Sequence, residues 1–222
     1  MIRDLRSPQS IRREEWLRYL QVKGEPDAGL AGRMAEAERM LLQAAQIRGT
    51  YRVVPRREAA AEGFSITKHL EGCSRAAVMA VTIGNGIDAL IRRYEITSMP
   101  MAMIADTGAS VLAGQAADLF EQAMIGEIRE RLSEEDGPLY FTARFSPGYG
   151  DYPLRCQKDI LNCVDAGRRI GLTLTSENMM IPCKSITALV GIADHPVTGR
   201  LATCEECVLR DKCTLRRQGE HC

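Results

Sequence analysis

The chain has 222 residues, of which 45% are hydrophobic and 26% charged, with 29 basic residues balanced by 29 acidic ones. This length suits one large domain, or one domain with a small appendage, able to bury a sizeable core. The formal net charge of zero excludes attraction to nucleic acid or to a membrane surface through bulk charge.

The opening MIRDLRSPQSIRREE is charged throughout and does not read as a secretory signal. The longest uncharged run, residues 76–87, is about a dozen residues, too short to span a bilayer. A cytoplasmic protein with no nucleic-acid or membrane partner is therefore expected. In such a reducing compartment the eight cysteines read as metal ligands or buried thiols rather than as a disulfide framework.

Ser7 and Pro8 ahead of QSIRREEWLRYL predict a capped helix carrying the only tryptophan, Trp16. Leu30, Met34, Ala37, Leu41, Ala44 and Ala45 recur at helical spacing, so a second helix is expected to about Ile47, making residues 1–50 a helical N-terminal part. TYRVVPRREAAAEGFSIT predicts short extended segments interrupted by Pro55 and Gly63. RAAVMAVTIG is a continuous apolar run, as in a buried strand. A helix follows from Asn85 or Gly86. The GNG at 84–86 lacks the full glycine pattern of a phosphate loop and reads better as a helix-start turn.

Residues 99–137 form the longest predicted helix. Ile104, Gly108, Val111, Leu112 and Gln115 trace its packed face, continued by Leu119, Phe120, Met124, Ile128 and Leu132. Its early half is rich in small residues, which favours close packing on a sheet. LYFTARF predicts a strand running into a specialised loop, and residues 156–171 a short amphipathic helix with a glycine stop. TLTSENMMIP and KSITALVGIAD predict extended segments. His69 and His195 lack partners at ligand spacing and read as solvated loop residues. Helices and strands do not alternate in βαβ fashion. The expected fold class is α+β, a twisted, mostly antiparallel sheet packed with helices, plus a short Cys-rich C-terminal tail.

Two stretches carry chemistry. RFSPGYGDYPLRC, residues 144–156, concentrates two prolines, two glycines and two tyrosines beside Arg144. The prolines hold the chain extended, while Gly148 and Gly150 allow positive φ and close approach. Arg144 offers a planar donor fork for a carboxylate. Open amides and the Tyr149 and Tyr152 rings suit an adenine or an amino-acid head group, though such loops also serve as plain connections. In the tail, residues 198–222, Cys204, Cys207, Cys213 and Cys222 are spaced C-x2-C-x5-C-x8-C, a four-thiolate set for zinc or an iron–sulfur cluster. His221 is an alternative ligand, and unligated thiols are the competing reading. Cys73, Cys156, Cys163 and Cys183 read as small buried side chains.

Taken together, these pieces resemble the activation domain of cobalamin-dependent methionine synthase in its small stand-alone form. Residues 144–149, RFSPGY, look like that family's Arg-Pro-x-Pro-Gly-Tyr loop. Leu174-Thr175-Ser176, then Met180-Ile181-Pro182 and Ser185-Ile186-Thr187, are similar to its Leu-Thr-Glu-Ser…Met…Pro…Ser-Val-Ser stretch, and ADLFEQAMIGEIRERL is similar to its helix before the loop. The resemblance implies an S-adenosylmethionine site at Arg144, Ser146, Pro147, Gly148 and Tyr149, with Ser176 and Glu121 as further contacts. It implies a domain, residues 1–197, that presents the sulfonium methyl to cobalamin on a partner, either cobalamin-binding methionine synthase modules or another corrinoid protein. A flavodoxin- or ferredoxin-like donor would reduce the cobalt. The expected role is thus an accessory subunit of a methyltransferase. An iron–sulfur electron carrier for a corrinoid methyltransferase and a zinc-stapled interaction module are the alternatives. The chain departs from the family at Ser146, where proline is usual, and at Ala188-Leu189-Val190, where an aromatic is expected. The glutamate expected on the long helix falls near Gln122, beside Glu121, and an acidic residue near the amino terminus of the longer form has no clear counterpart.

Overall fold

The computed structural model describes residues 2–4 and 8–197. In chain order the elements are β1 (Ile2–Asp4), α1 (Arg13–Tyr19), α2 (Ala28–Ala44), β2 (Arg48–Pro55), α3 (Phe64–His69), β3 (Arg75–Thr82), α4 (Asn85–Thr97), α5 (Met99–Asp136), β4 (Tyr140–Phe141), α6 (Gln157–Cys163), α7 (Ala166–Ile170), β5 (Thr173–Leu174), β6 (Met180–Ile181) and β7 (Ser185–Ala193). The main sheet is antiparallel in the order β1-β2-β3-β7-β4, and β5 and β6 form a separate hairpin. The fold is therefore α+β with an antiparallel sheet, as its sequence predicts.

The central strands explain their unbroken apolar runs, because both faces of the sheet are covered. Ala77, Met79 and Val81 of β3 join Ala188 and Val190 of β7 in a core with α2, α4 and α5. Ala76, Val78, Ala80 and Leu189 point the other way, into a core with α3, α6 and α7. The period-two alternation of a strand is hidden in the sequence because all but Arg75 of β3 and Ile186 of β7 are buried.

Helix α5 has 38 residues, about 57 Å at 1.5 Å per residue. Its fully buried Ala105, Ala109 and Ala116 let it approach the sheet closely. Where it reaches Phe120, the ring lies on Gly49 of β2, and a Cβ there would fall 2.4 Å from the ring atoms. At its start, Trp16 of α1 is buried against it, its indole N–H donating to the Ile104 carbonyl at 3.0 Å.

The structure differs from the sequence reading in several places. Helix α1 begins at Arg13 and leaves Pro8 outside, and α2 ends at Ala44, so Arg48 opens a strand instead of closing a helix. Residues 48–55 form one eight-residue strand, ended by Pro55, which has no N–H for the ladder. Phe64 to His69 is helical, because its first amides are capped from residue 151 rather than locally. That helix buries His69, whose Nε2 donates to the Ala143 carbonyl at 2.8 Å. The helix expected across residues 156–171 is two, broken where Asp165 adopts φ 54°. Leu119 faces solvent at 39% exposure while the rest of its predicted stripe packs inward or half-inward.

Candidate functional site

The loop after β4 is anchored at both ends. Phe145 exchanges two backbone hydrogen bonds with Leu189 of β7, each 2.9 Å, and its ring packs against His69. Within the turn Gly148, at φ 95°, donates to the Tyr152 carbonyl at 2.8 Å, and the Tyr149 amide donates to Ser146 at 3.3 Å. Two of the amides expected to be open are thus used by the loop itself. Gly150 is also required, since a side chain there would meet the Ser65 hydroxyl at 2.5 Å.

Asp151 ties this turn to α3. Its carboxylate accepts from the Phe64 and Ser65 amides at 2.7 and 2.8 Å. Those bonds, with one from the Ser65 side chain, hold its carboxyl below the usual carboxylate range. Tyr152 is buried and donates to the Ala60 carbonyl at 3.1 Å. Pro147 is buried, whereas Tyr149 is 65% exposed and free to stack. The loop is a hydrogen-bonded platform with one aromatic face, that of Tyr149, toward solvent.

Arg144 leaves this platform toward α5. Its guanidinium donates to Glu121 at 2.5 Å and to Asp118 at 2.6 Å. Arg12, just before α1, pairs with the other Asp118 oxygen at 2.6 Å. The fork expected to face a ligand carboxylate is therefore shared between two protein carboxylates. Asp118 and Glu121 lie three residues apart on one helix face, which is why both reach it.

The two acids respond oppositely. Burial would raise Asp118, but hydrogen bonds from Arg144 and Arg12 outweigh it and hold the group below its ordinary value. Burial pushes Glu121 up, and the neighbouring Asp118 charge adds to that, against the pull of Arg144. Two carboxylates of differing proton affinity shared between Arg144 and Arg12 form a balanced charge network, suited to a ligand that carries both signs.

Of the residues singled out in the sequence, Arg144 and Glu121 are in direct contact, and Ser146, Pro147, Gly148 and Tyr149 form the adjoining turn. Ser176 lies at the exposed tip of the β5–β6 hairpin, with its hydroxyl on its neighbour Glu177 at 2.5 Å, and no hydrogen bond joins it to the loop among the described residues. Cys204, Cys207, Cys213 and Cys222 lie outside the described residues. Asp118, Arg12 and Asp151 were not picked out from the sequence. The i, i+3 acids on the helix before an arginine-led loop were the available signal for Asp118; the Arg12 and Asp151 contacts bridge distant segments and leave no local pattern.

The family model described as "Vitamin B12 dependent methionine synthase, activation domain" matches residues 56–199, more than half of the chain. The chain belongs to that family. The matched span holds the whole Arg144 loop with Asp118 and Glu121, excludes α1 and α2, and stops before Cys204. Among solved structures, the crystal structure of the MetH reactivation domain bound to AdoHcy is similar over 99% of this chain and 86% of that one, with 16% identity and a TM-score of 0.57. At that identity the likeness establishes the fold. No curated protein matches the chain. Within the activation-domain fold, the N-terminal α1 adds Arg12 to the charge network from outside the matched span. Among the described residues no helix is long and apolar enough to cross a membrane, and no cluster of three or more potential metal-ligating side chains occurs.

Proposed function

We propose that this activation-domain protein binds S-adenosylmethionine at the Arg144–Tyr149 turn and serves as an accessory subunit for reductive methylation of a cobalamin protein. The observation that carries this reading is the Arg144–Glu121–Asp118 network beside a pinned Pro-Gly-Tyr turn. An amino-acid head group is a zwitterion. Its carboxylate can take the Arg144 fork while its ammonium takes the carboxylate displaced from it, so charge balance is kept in both states. Tyr149 offers an exposed ring for the adenine, and the ligand in the similar reactivation-domain structure, AdoHcy, has the same head group and base.

The chain's own part is binding and orientation: Arg144 and Glu121 fix one end of the ligand, the turn fixes the other, and the methyl-bearing sulfur between them faces a docked partner. Cobalamin bound to that partner, a methionine synthase module or another corrinoid protein, supplies the methyl-accepting cobalt, and a flavodoxin- or ferredoxin-like protein supplies the electron. The C-x2-C-x5-C-x8-C cysteines would hold zinc or an iron–sulfur cluster, giving either a structural staple or a second route for electron delivery.

Isothermal titration of anaerobically purified protein with S-adenosylmethionine tests the reading. Saturable one-to-one binding is expected, and its absence in the presence of a cobalamin partner would refute it. Metal analysis of the same sample separates the tail's options, with about one zinc per chain or a brown, iron-containing sample as the two supporting results.

A further inference from the structure

On the opposite side of the sheet from Arg144, strand β2 is only half covered. β1 pairs with it from Ile2↔Thr50 to Asp4↔Arg48. Residues 52–55 have no strand beyond them among the described residues, although they pair with β3 on the inner side. That open edge is about 13 Å long at strand spacing.

The edge is the floor of a groove. Residues 51–55 all line a cavity of about 770 Å³, walled on one side by Ile128, Arg131 and Leu132 of α5 and on the other by residues 162–165 and Arg169 around α6 and α7. A chain entering between these walls would meet Ile128 and Leu132 on one side, Val164 on the other, and a strand edge that no strand pairs among the described residues.

The charge of this groove is one-sided. Among the described residues Arg52, Arg75, Arg131 and Arg169 line it, with Asp165 as the one lining acid. Arg52 is exposed on the strand itself. Arg131 and Arg169 are 62% and 39% exposed, and their ion pairs with Glu127 and Asp165 are long, at 3.5 and 3.9 Å. Those pairs leave donor capacity on both walls.

We propose that the open edge of β2 is a docking site for an extended, acidic segment of a partner protein, added as a further antiparallel or parallel strand beside residues 52–54. Main-chain hydrogen bonds to the edge would give affinity; acids at every second position would all face the wall of Arg52 and Arg169, and the apolar residues between them would face Ile128 and Leu132 of α5. The same arginines argue against a second copy of this edge, because pairing two such strands brings like charges together. Pro55 sets the limit of the docking register, having no N–H to donate.

The test uses the full chain and a fluorescein-labelled decapeptide of alternating glutamate and valine, followed by anisotropy. Saturable binding is expected, weakened at least tenfold in the Arg52→Glu, Arg169→Glu double variant, whose fold circular dichroism verifies. A lysine–valine peptide and a peptide N-methylated at alternate residues should not bind. The proposal is overturned if the glutamate peptide does not bind, if the double variant binds it equally, or if N-methylation leaves affinity unchanged, which would reduce the effect to charge alone. Displacement of the peptide by equimolar inorganic pyrophosphate would likewise overturn it, marking the groove as a small-anion site. S-adenosylmethionine affinity of the double variant should match that of the unaltered chain, which separates this site from the Arg144 site.

Discussion

Helix α5 borders two charged regions that differ in how their charges are matched. Toward the β4 side, Asp118 and Glu121 close on Arg144, with Arg12 completing the set, so two cations face two acids. Toward the β2 edge, four arginines line a groove with one acid among the described residues. The first arrangement is charge-balanced and suits a ligand bearing both signs, which exchanges with existing pairs. The second holds surplus positive charge and suits an anion. On the two proposals, one scaffold would serve two recognition chemistries, set by which residue types each flank of the sheet receives.

Removing Arg144 breaks this contrast most sharply. Arg144→Ala deletes the cation shared by both carboxylates and should weaken S-adenosylmethionine binding by about 1.5–3 kcal/mol, roughly ten- to hundredfold. Acidic-peptide binding at β2 should not change. Calorimetry on both ligands reads the two effects, and an unaltered S-adenosylmethionine affinity would take Arg144 out of the site.

Salt sharpens the contrast further. Raising sodium chloride from about 0.05 to 0.5 M shortens the screening length severalfold. The glutamate peptide should then bind roughly tenfold more weakly, because its groove would hold it through exposed arginines. S-adenosylmethionine, entering a balanced network, should change by less than about twofold. Equal salt sensitivity of both ligands would erase the distinction.

The loop side also depends on one long-range cap that the β2 side lacks. Asp151→Ala frees the first amides of α3 and unties the turn, and it should lower the melting temperature by about 2–4 °C. Ligand affinity at the turn should fall with it, while peptide binding at β2 stays constant. A melting curve identical to that of the parent chain would mean that the turn is held by Tyr152 and Phe145 alone.

These contacts also show which features a sequence can disclose. The register of α5, the buried strands β3 and β7 and the start of α4 at Asn85 follow from local apolar spacing, and each is where the pattern puts it. The Arg144 turn announces itself through proline and glycine. Helix α3 does not, because its cap comes from Asp151, 86 or 87 residues away. The burial of His69 follows from that same helix. Arg12 joins Asp118 only once α1 has packed on α5 through Trp16. The resemblance singles out Arg144 and Glu121 and assigns both to the ligand; that the two side chains pair with each other follows only from the coordinates of both segments.

The smallest effect concerns the proton on Glu121. Burial and the Asp118 charge raise this group, so the folded chain keeps it protonated to a higher pH than an unfolded chain would. Its contribution to stability is present below the unfolded value and is lost as pH rises through the folded one. Asp118 is lowered and acts in the other sense: its contribution is present above the unfolded value and is lost as pH falls through the folded one. The two partly cancel in stability but not in binding. A ligand ammonium requires ionised Glu121, so S-adenosylmethionine affinity should fall on acidification at a pH above that of an ordinary glutamate. Glu121→Gln should show weaker binding at neutral pH, by about threefold, and should lose the acid limb, because the amide cannot titrate. Calorimetric affinities from about pH 4 to 7 decide the matter. An acid limb of the same midpoint in Glu121→Gln would assign the titration to another group and leave Glu121 solely as the partner of Arg144.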